Sequence, residues 1–301
     1  MDAASPAPST LRYEVTGRIA RITLDRPERG NGITLDTPRE LAECVERANL
    51  DPGVSVIAVA GNGRGFCGGY DLAAAEQSGA LGGHGPPGSP LDPSVQARNH
   101  DPDQVWDPVV DWQMMSRNLR GFMSLFHSDK PTICKVHGFC VAGGTDLALC
   151  CDLLVIADDA RIGYPPARAW GVPTSALWAF RTGDQRAKRL LFTGDLISGR
   201  EALDWGLAIE APPSADLDRC FESLLERVAL TPVNQLVMMK LLVNQALYAQ
   251  GLHATQALGV FFDGVARHTE EGYGFQRRAT EAGFKEAVRD RDRPYGDAKP
   301  D

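Results

Sequence analysis

Apolar and polar positions change period along the chain, and each change marks an element. "LRYEV" and "RIARITLD" run at strand period, which predicts two strands joined by a turn at Thr16 and Gly17. "TPRELAECVERANLD" switches to helical spacing, with Leu41, Cys44, Val45 and Ala48 on one face. Its expected start has Thr37 as N-cap, Pro38 at the first helical position and Glu40 three residues after the cap. "SVIAVAG" is apolar throughout, as a buried strand would be, and runs into the glycine-rich "GNGRGFCGGYDL". From residue 73 to 107 no period holds; Gly, Pro, Ser, His and Asp dominate, which predicts a long irregular segment that is either mobile or functional. Helical spacing returns over 109–127, with Met115, Leu119, Phe122, Met123 and Phe126 on one side. "TICKVHG" and "LLVIAD" predict two further strands flanking "FCVAGGTDLALCC". Strands alternating with helices imply an α/β core. From about Gly183 the pattern is mostly helical, with a stop at Pro212 and Pro213. The expected organisation is a disordered leader (1–10), a core (11–200) and a helical C-terminal region (201–301) that serves assembly.

Composition narrows the functional classes. The 301 residues are 43% hydrophobic and 23% charged, enough to bury a large core. A net charge of −8 argues against a broad basic surface for nucleic acid, though local basic residues could hold a phosphorylated small molecule. Seven cysteines, odd in number and without a C-x-x-C pair, read as reduced buried thiols, not a disulfide frame or metal site. "MDAASPAPST" has no apolar signal-peptide core, and no apolar run reaches the roughly 18 residues of a membrane span. A soluble, cytoplasmic, metal-free protein is expected.

The candidate chemistry lies in two glycine loops and one acid. In "GNGRGFCGG" the dinucleotide pattern fails, because Phe66 stands where a third glycine belongs, and a phosphate loop fails for want of Gly-Lys-Ser/Thr. Each glycine there either serves a tight turn or leaves a backbone N–H open to a ligand oxygen. Gly143-Gly144 opens a helix, where unpaired N–H groups and the positive dipole end favour an oxygen gaining negative charge. One N–H from each loop would stabilise a carbonyl or thioester oxyanion. Asp146 follows within one turn.

"ITLDRPERGNGITLDTPRELAECVERANLDPGVSVIAVAGNGRGFCGGYDL", "KPTICKVHGFCVAGGTDLALCCDLLVIADDARIGYPP" and "LLFTGDLISGREALDWGLAIE" together resemble the enoyl-CoA hydratase/isomerase (crotonase) superfamily over roughly residues 10 to 250. The resemblance implies a crotonase-type α/β spiral of β-β-α turns, with a helical C-terminal region that packs trimers or hexamers. It implies an acyl-CoA substrate, with coenzyme A as part of that substrate and no other cofactor, and two oxyanion amides, which map onto Gly68 and Gly143. Coenzyme A would lie along "RPERGNG" and the 64–70 loop, near Arg29, Asn31, Arg64, Phe66, Gly69, Tyr70 and Asp71. Tyr164, Pro166 and Trp170 would border the acyl cavity, which Arg168 could help to shape. The family's hydratases hold a water between two glutamates; the matching positions here are Asp146 and Pro166. Pro166 cannot titrate, so slow hydration of a short straight-chain enoyl-CoA is expected. His84 and His100 are candidates for a second acid/base that otherwise read as surface residues, and His137 reads as a core residue. The implied activity is that of an enoyl-CoA hydratase working through a thioester enolate. An isomerase or hydrolase using Asp146 with another partner, and a non-catalytic acyl-CoA binder, are the competing readings.

Overall fold

The computed structural model describes residues 10–72 and 85–296. Strands β1 (Leu11–Thr16), β2 (Ile19–Leu24), β3 (Val56–Gly61), β4 (Thr132–Val136), β5 (Phe139–Val141), β6 (Leu153–Ile156), β7 (Arg161–Gly163) and β8 (Leu196–Ser198) form two sheets. The larger runs β1-β2-β3-β4-β6 and the smaller β5-β7-β8. β1 and β2 are an antiparallel hairpin; β2, β3, β4 and β6 are parallel, which requires the helical crossovers between them. The first four residues of β3 are all buried, as a parallel strand covered on both faces demands.

The hairpin turn falls on Gly17 and Arg18, one residue later than expected, because Thr16 still pairs with Ile19. The first helix, Asp36–Leu50, buries the predicted face, but its capping box does not form. Thr37 lies inside the first turn, and the Glu40 carboxylate instead accepts the Thr10 N–H at 2.9 Å and hydroxyl at 2.7 Å. Tertiary tethering of the chain start has taken the acid that a local cap would use. The rest of the expected leader, residues 1–9, lies outside the described residues.

Helix Pro108–His127 buries all five predicted face residues and is capped by Asp107, whose carboxylate accepts the Val109 N–H at 2.9 Å. The segment before it is not irregular throughout. Pro93–Asn99 is a helix capped by Asp92, and Asn99 is tied back to Asp107 through both of its amide atoms. Residues 73–84, with His84, lie outside the described residues.

Beyond β8 all regular structure among the described residues is helical. The hydrophobic core continues into this region through Leu217, Phe221, Leu225, Leu252 and Val260. Helix Val233–Ala249 buries only Lys240, whose ammonium donates to the Leu125 and Lys130 carbonyls and pairs with Asp152 at 2.9 Å. Met238, Met239, Leu241, Leu242 and Val243 stay 50–69% exposed. The cysteines are free thiols, all buried except the half-buried Cys220. No helix of the described residues is long and apolar enough to cross a membrane.

Candidate active site

Both glycine loops meet at one cavity of about 230 Å³. Gly68, Tyr70, Gly143, Asp146, Tyr164, Pro166 and Trp170 all line it. Gly69 has φ +93°, and a Cβ there would sit 2.7 Å from the Ala142 Cβ; only glycine lets the loops approach this closely. Gly143 abuts the Tyr70 ring, which a Cβ would meet at 2.8 Å. Ala142 turns the chain at φ +53°, a backbone state unfavourable for a side chain, and so starts helix Gly143–Leu149 at the cavity wall.

The amides of the two loops differ in availability. Gly143 is the first helical residue, so its N–H has no intrahelical acceptor. Gly68 is not free: its N–H donates to the Gly30 carbonyl at 2.9 Å. Tyr70, two residues on, pairs with Ile33 in a parallel bridge that uses the Gly69 carbonyl and the Asp71 N–H. Its own N–H has no acceptor among the described residues.

Asp146 is 1% exposed. Burial is the main force pushing its pKa up, to about 7, and the Asp263 carboxylate adds to it. Hydrogen bonding from the 174–175 segment opposes the shift, including the Ser175 N–H at 2.8 Å from Asp146 Oδ1. Near neutrality this acid is therefore poised between giving and taking a proton. Burial also raises the Tyr70 and Tyr164 phenols well above their usual range, and Asp146 and Asp263 raise them further, so both remain donors.

Helix Leu252–Arg267 brings to the site three polar groups whose role its sequence does not announce. Gln256 holds the Ser175 carbonyl at 3.1 Å, bracing the strap that hydrogen-bonds Asp146. Asp263 and Arg267, one turn apart, line the cavity and pair at 2.6 Å. In sequence, an acid and a base at this spacing look like an ordinary surface pair. The only earlier signal was their place in a strongly apolar helix, "LGVFFDGVAR".

The remaining candidates lie outside the cavity lining. Asp71 is held by Arg26 at 2.8 Å and by Arg29 at 2.7 Å, and its hydrogen bond and charge raise the Arg29 pKa. The Asn31 amide donates to the Asn62, Gly65 and Phe66 carbonyls, clamping the first loop to its neighbour. Phe66 is fully buried in the core, and Arg64 is exposed. Arg168 pairs with Asp195 and Asp292 and stacks on Tyr295, so it stabilises the C-terminal end without bordering the acyl space. His100 is not a free surface residue: it stacks on His268 with ring centres 5.0 Å apart, and burial lowers its pKa to about 3. His137 is half-buried at the end of β4, 2.9 Å from the Gly63 carbonyl, and is not in the core.

A family model described as enoyl-CoA hydratase/isomerase matches residues 14–85 and 111–277. The Mycobacterium tuberculosis protein named "Putative enoyl-CoA hydratase EchA13" is 32% identical, over 81% of this chain and 76% of its own. A carnitinyl-CoA dehydratase of Proteus mirabilis is 28% identical, over 73% of this chain and 74% of its own. A crystal structure of an enoyl-CoA hydratase from Mycobacterium smegmatis superposes with a TM-score of 0.91 at 57% identity, covering 97% of this chain and 96% of that one. The spiral implied by the sequence resemblance is thus the fold of the molecule, and the chain belongs to the enoyl-CoA hydratase/isomerase family.

Proposed function

We propose that the protein hydrates an enoyl-CoA through a thioester enolate, in the cytoplasm, with coenzyme A carried by the substrate as the only cofactor. The observation that carries this reading is Asp146, buried and poised near neutrality beside unpaired amides in a largely apolar cavity. The thioester oxygen would be held by the Tyr70 and Gly143 amides; the bond to Gly30 argues for Tyr70 over Gly68. Asp146 would then exchange a proton with the carbon next to the thioester. Coenzyme A would run along the strap from Arg26 to Gly32 and the 64–70 loop, with Arg64 exposed and able to meet a phosphate. Pro166 would stand where hydratases of the family carry their second glutamate, leaving the turn Pro165–Arg168 without an acid at that position. Incubation with a panel of trans-2-enoyl-CoAs is expected to yield products heavier by one water. A shifted double bond without water uptake would identify an isomerase, and no change in any member would contradict the reading.

Assembly belongs to the same proposal. Besides the exposed apolar side chains of helix Val233–Ala249, the next helix leaves Leu258, Phe261 and Phe262 each 43–55% exposed. A patch of this kind marks a protein interface. A trimer or a multiple of it is expected by light scattering at micromolar concentration; a monomer would contradict it.

A further inference from the structure

The hydration proposed above must move two protons, one off the attacking water and one onto carbon, yet it names only one carboxylate. We propose that Asp263 is the second proton-handling group, delivered from helix Leu252–Arg267 in place of an acid on the Pro166 turn. The assignment rests on the hydration reading.

Asp146 and Asp263 line the same cavity from different helices. Arg267 fixes Asp263 asymmetrically: its Nε donates at 3.2 Å and its Nη2 at 2.6 Å, both to Oδ2. Asp263 Oδ1 accepts no hydrogen bond among the described residues, which leaves it for a water. Arg267 is held from its other side by Asp111, 3.5 Å from Nη1. An exposed acid–base pair one helical turn apart does little. This pair is buried at the cavity wall, where Arg267 is the counter-ion that makes a carboxylate tolerable in apolar surroundings. Asp146 has no such counter-ion, and burial favours its neutral form. Two carboxylates in contrasting environments are the arrangement that separates an acid from a base.

The step balances. Asp263 takes a proton from water as the water oxygen bonds to C3, and the electrons of the C2–C3 double bond move onto the thioester oxygen as an enolate. Protonated Asp146 then gives its proton to C2, and the enolate returns to a thioester. A proton relayed from Asp263 to Asp146 through solvent restores both groups, and one water has been added.

The test compares hydration of a trans-2-enoyl-CoA with exchange of the C2 protons of a saturated acyl-CoA into D2O, which calls on Asp146 and the amides alone. In Asp263→Asn, kcat for hydration is expected to fall about 10²–10⁴-fold with KM little changed, while C2 exchange falls far less, by only what the lost Asp263 charge takes from the basicity of Asp146. Because this substitution also leaves Arg267 with Asp111 as its remaining carboxylate partner, Asp263→Asn is combined with Pro166→Glu; an acid returned to the proline turn is expected to recover hydration. Wild-type hydration in Asp263→Asn would overturn the assignment. Equal loss of hydration and exchange, without recovery in the double variant, would also overturn it, since that is the mark of a scaffold. A wild-type protein that exchanges C2 protons but hydrates nothing would contradict the hydration reading and remove Asp263's role with it, leaving the exchange assigned to Asp146 intact.

Discussion

Asp146→Asn is expected to lower turnover and C2 proton exchange together by about 10²–10⁴-fold, while making the folded protein more stable at neutral and alkaline pH. The amide keeps the shape of the side chain and can still accept the Ser175 N–H, but it cannot carry a proton. The stability effect follows from burial. The acid's pKa is 3.8 in the open chain and about 7 when folded, so the folded state holds the proton more tightly. Between those values stability declines as pH rises, and above about 7 the full penalty of a buried charge is present. Asparagine bears no charge at any pH. The variant's advantage should therefore be small near pH 4, grow through the window and level off above pH 7, reaching at most about 4 kcal/mol. Urea unfolding midpoints at about pH 5 and about pH 8 would check it, and a variant less stable than wild type at the higher pH would contradict it.

Gly143→Pro should reduce turnover about 10²–10³-fold by removing one oxyanion donor. Proline suits the first position of a helix, so the helix itself should persist. The new ring meets Tyr70, whose side chain already lies where a Cβ would go, so part of the loss would come from displacement of that wall. Circular dichroism near that of wild type establishes that the variant is folded. Unchanged turnover in a folded variant would exclude Gly143 from the hole.

Much of this architecture was legible from periodicity. The parallel strands read as short apolar runs, and the Pro108–His127 helix announced its buried face through five residues at helical spacing. The glycine loops and Asp146 were legible because their chemistry is local: a helix start, exposed amides and an acid within one turn. What was hidden depends on tertiary contact. Glu40 looked like a capping residue and became a tether for Thr10. Gly68 looked like an open amide, and its acceptor, Gly30, lies almost forty residues earlier. Asp263 and Arg267 are separated from Asp146 by more than a hundred residues, and their spacing matches that of any surface pair. In helix Val233–Ala249 the buried anchor is the cation Lys240, held by partners more than a hundred residues earlier, and the apolar residues around it are left bare.

In the proposed reaction Asp146 serves the carbon beside a thioester held at the Tyr70 and Gly143 amides. Hydration of a trans-2-enoyl-CoA in D2O, followed by NMR of the product at C2, tests it most directly. The wild-type protein is expected to place one deuterium at C2, and Asp146→Asn to do so about 10²–10⁴-fold more slowly. Deuterated product formed by Asp146→Asn at the wild-type rate would show that other residues carry the proton, and would contradict the account.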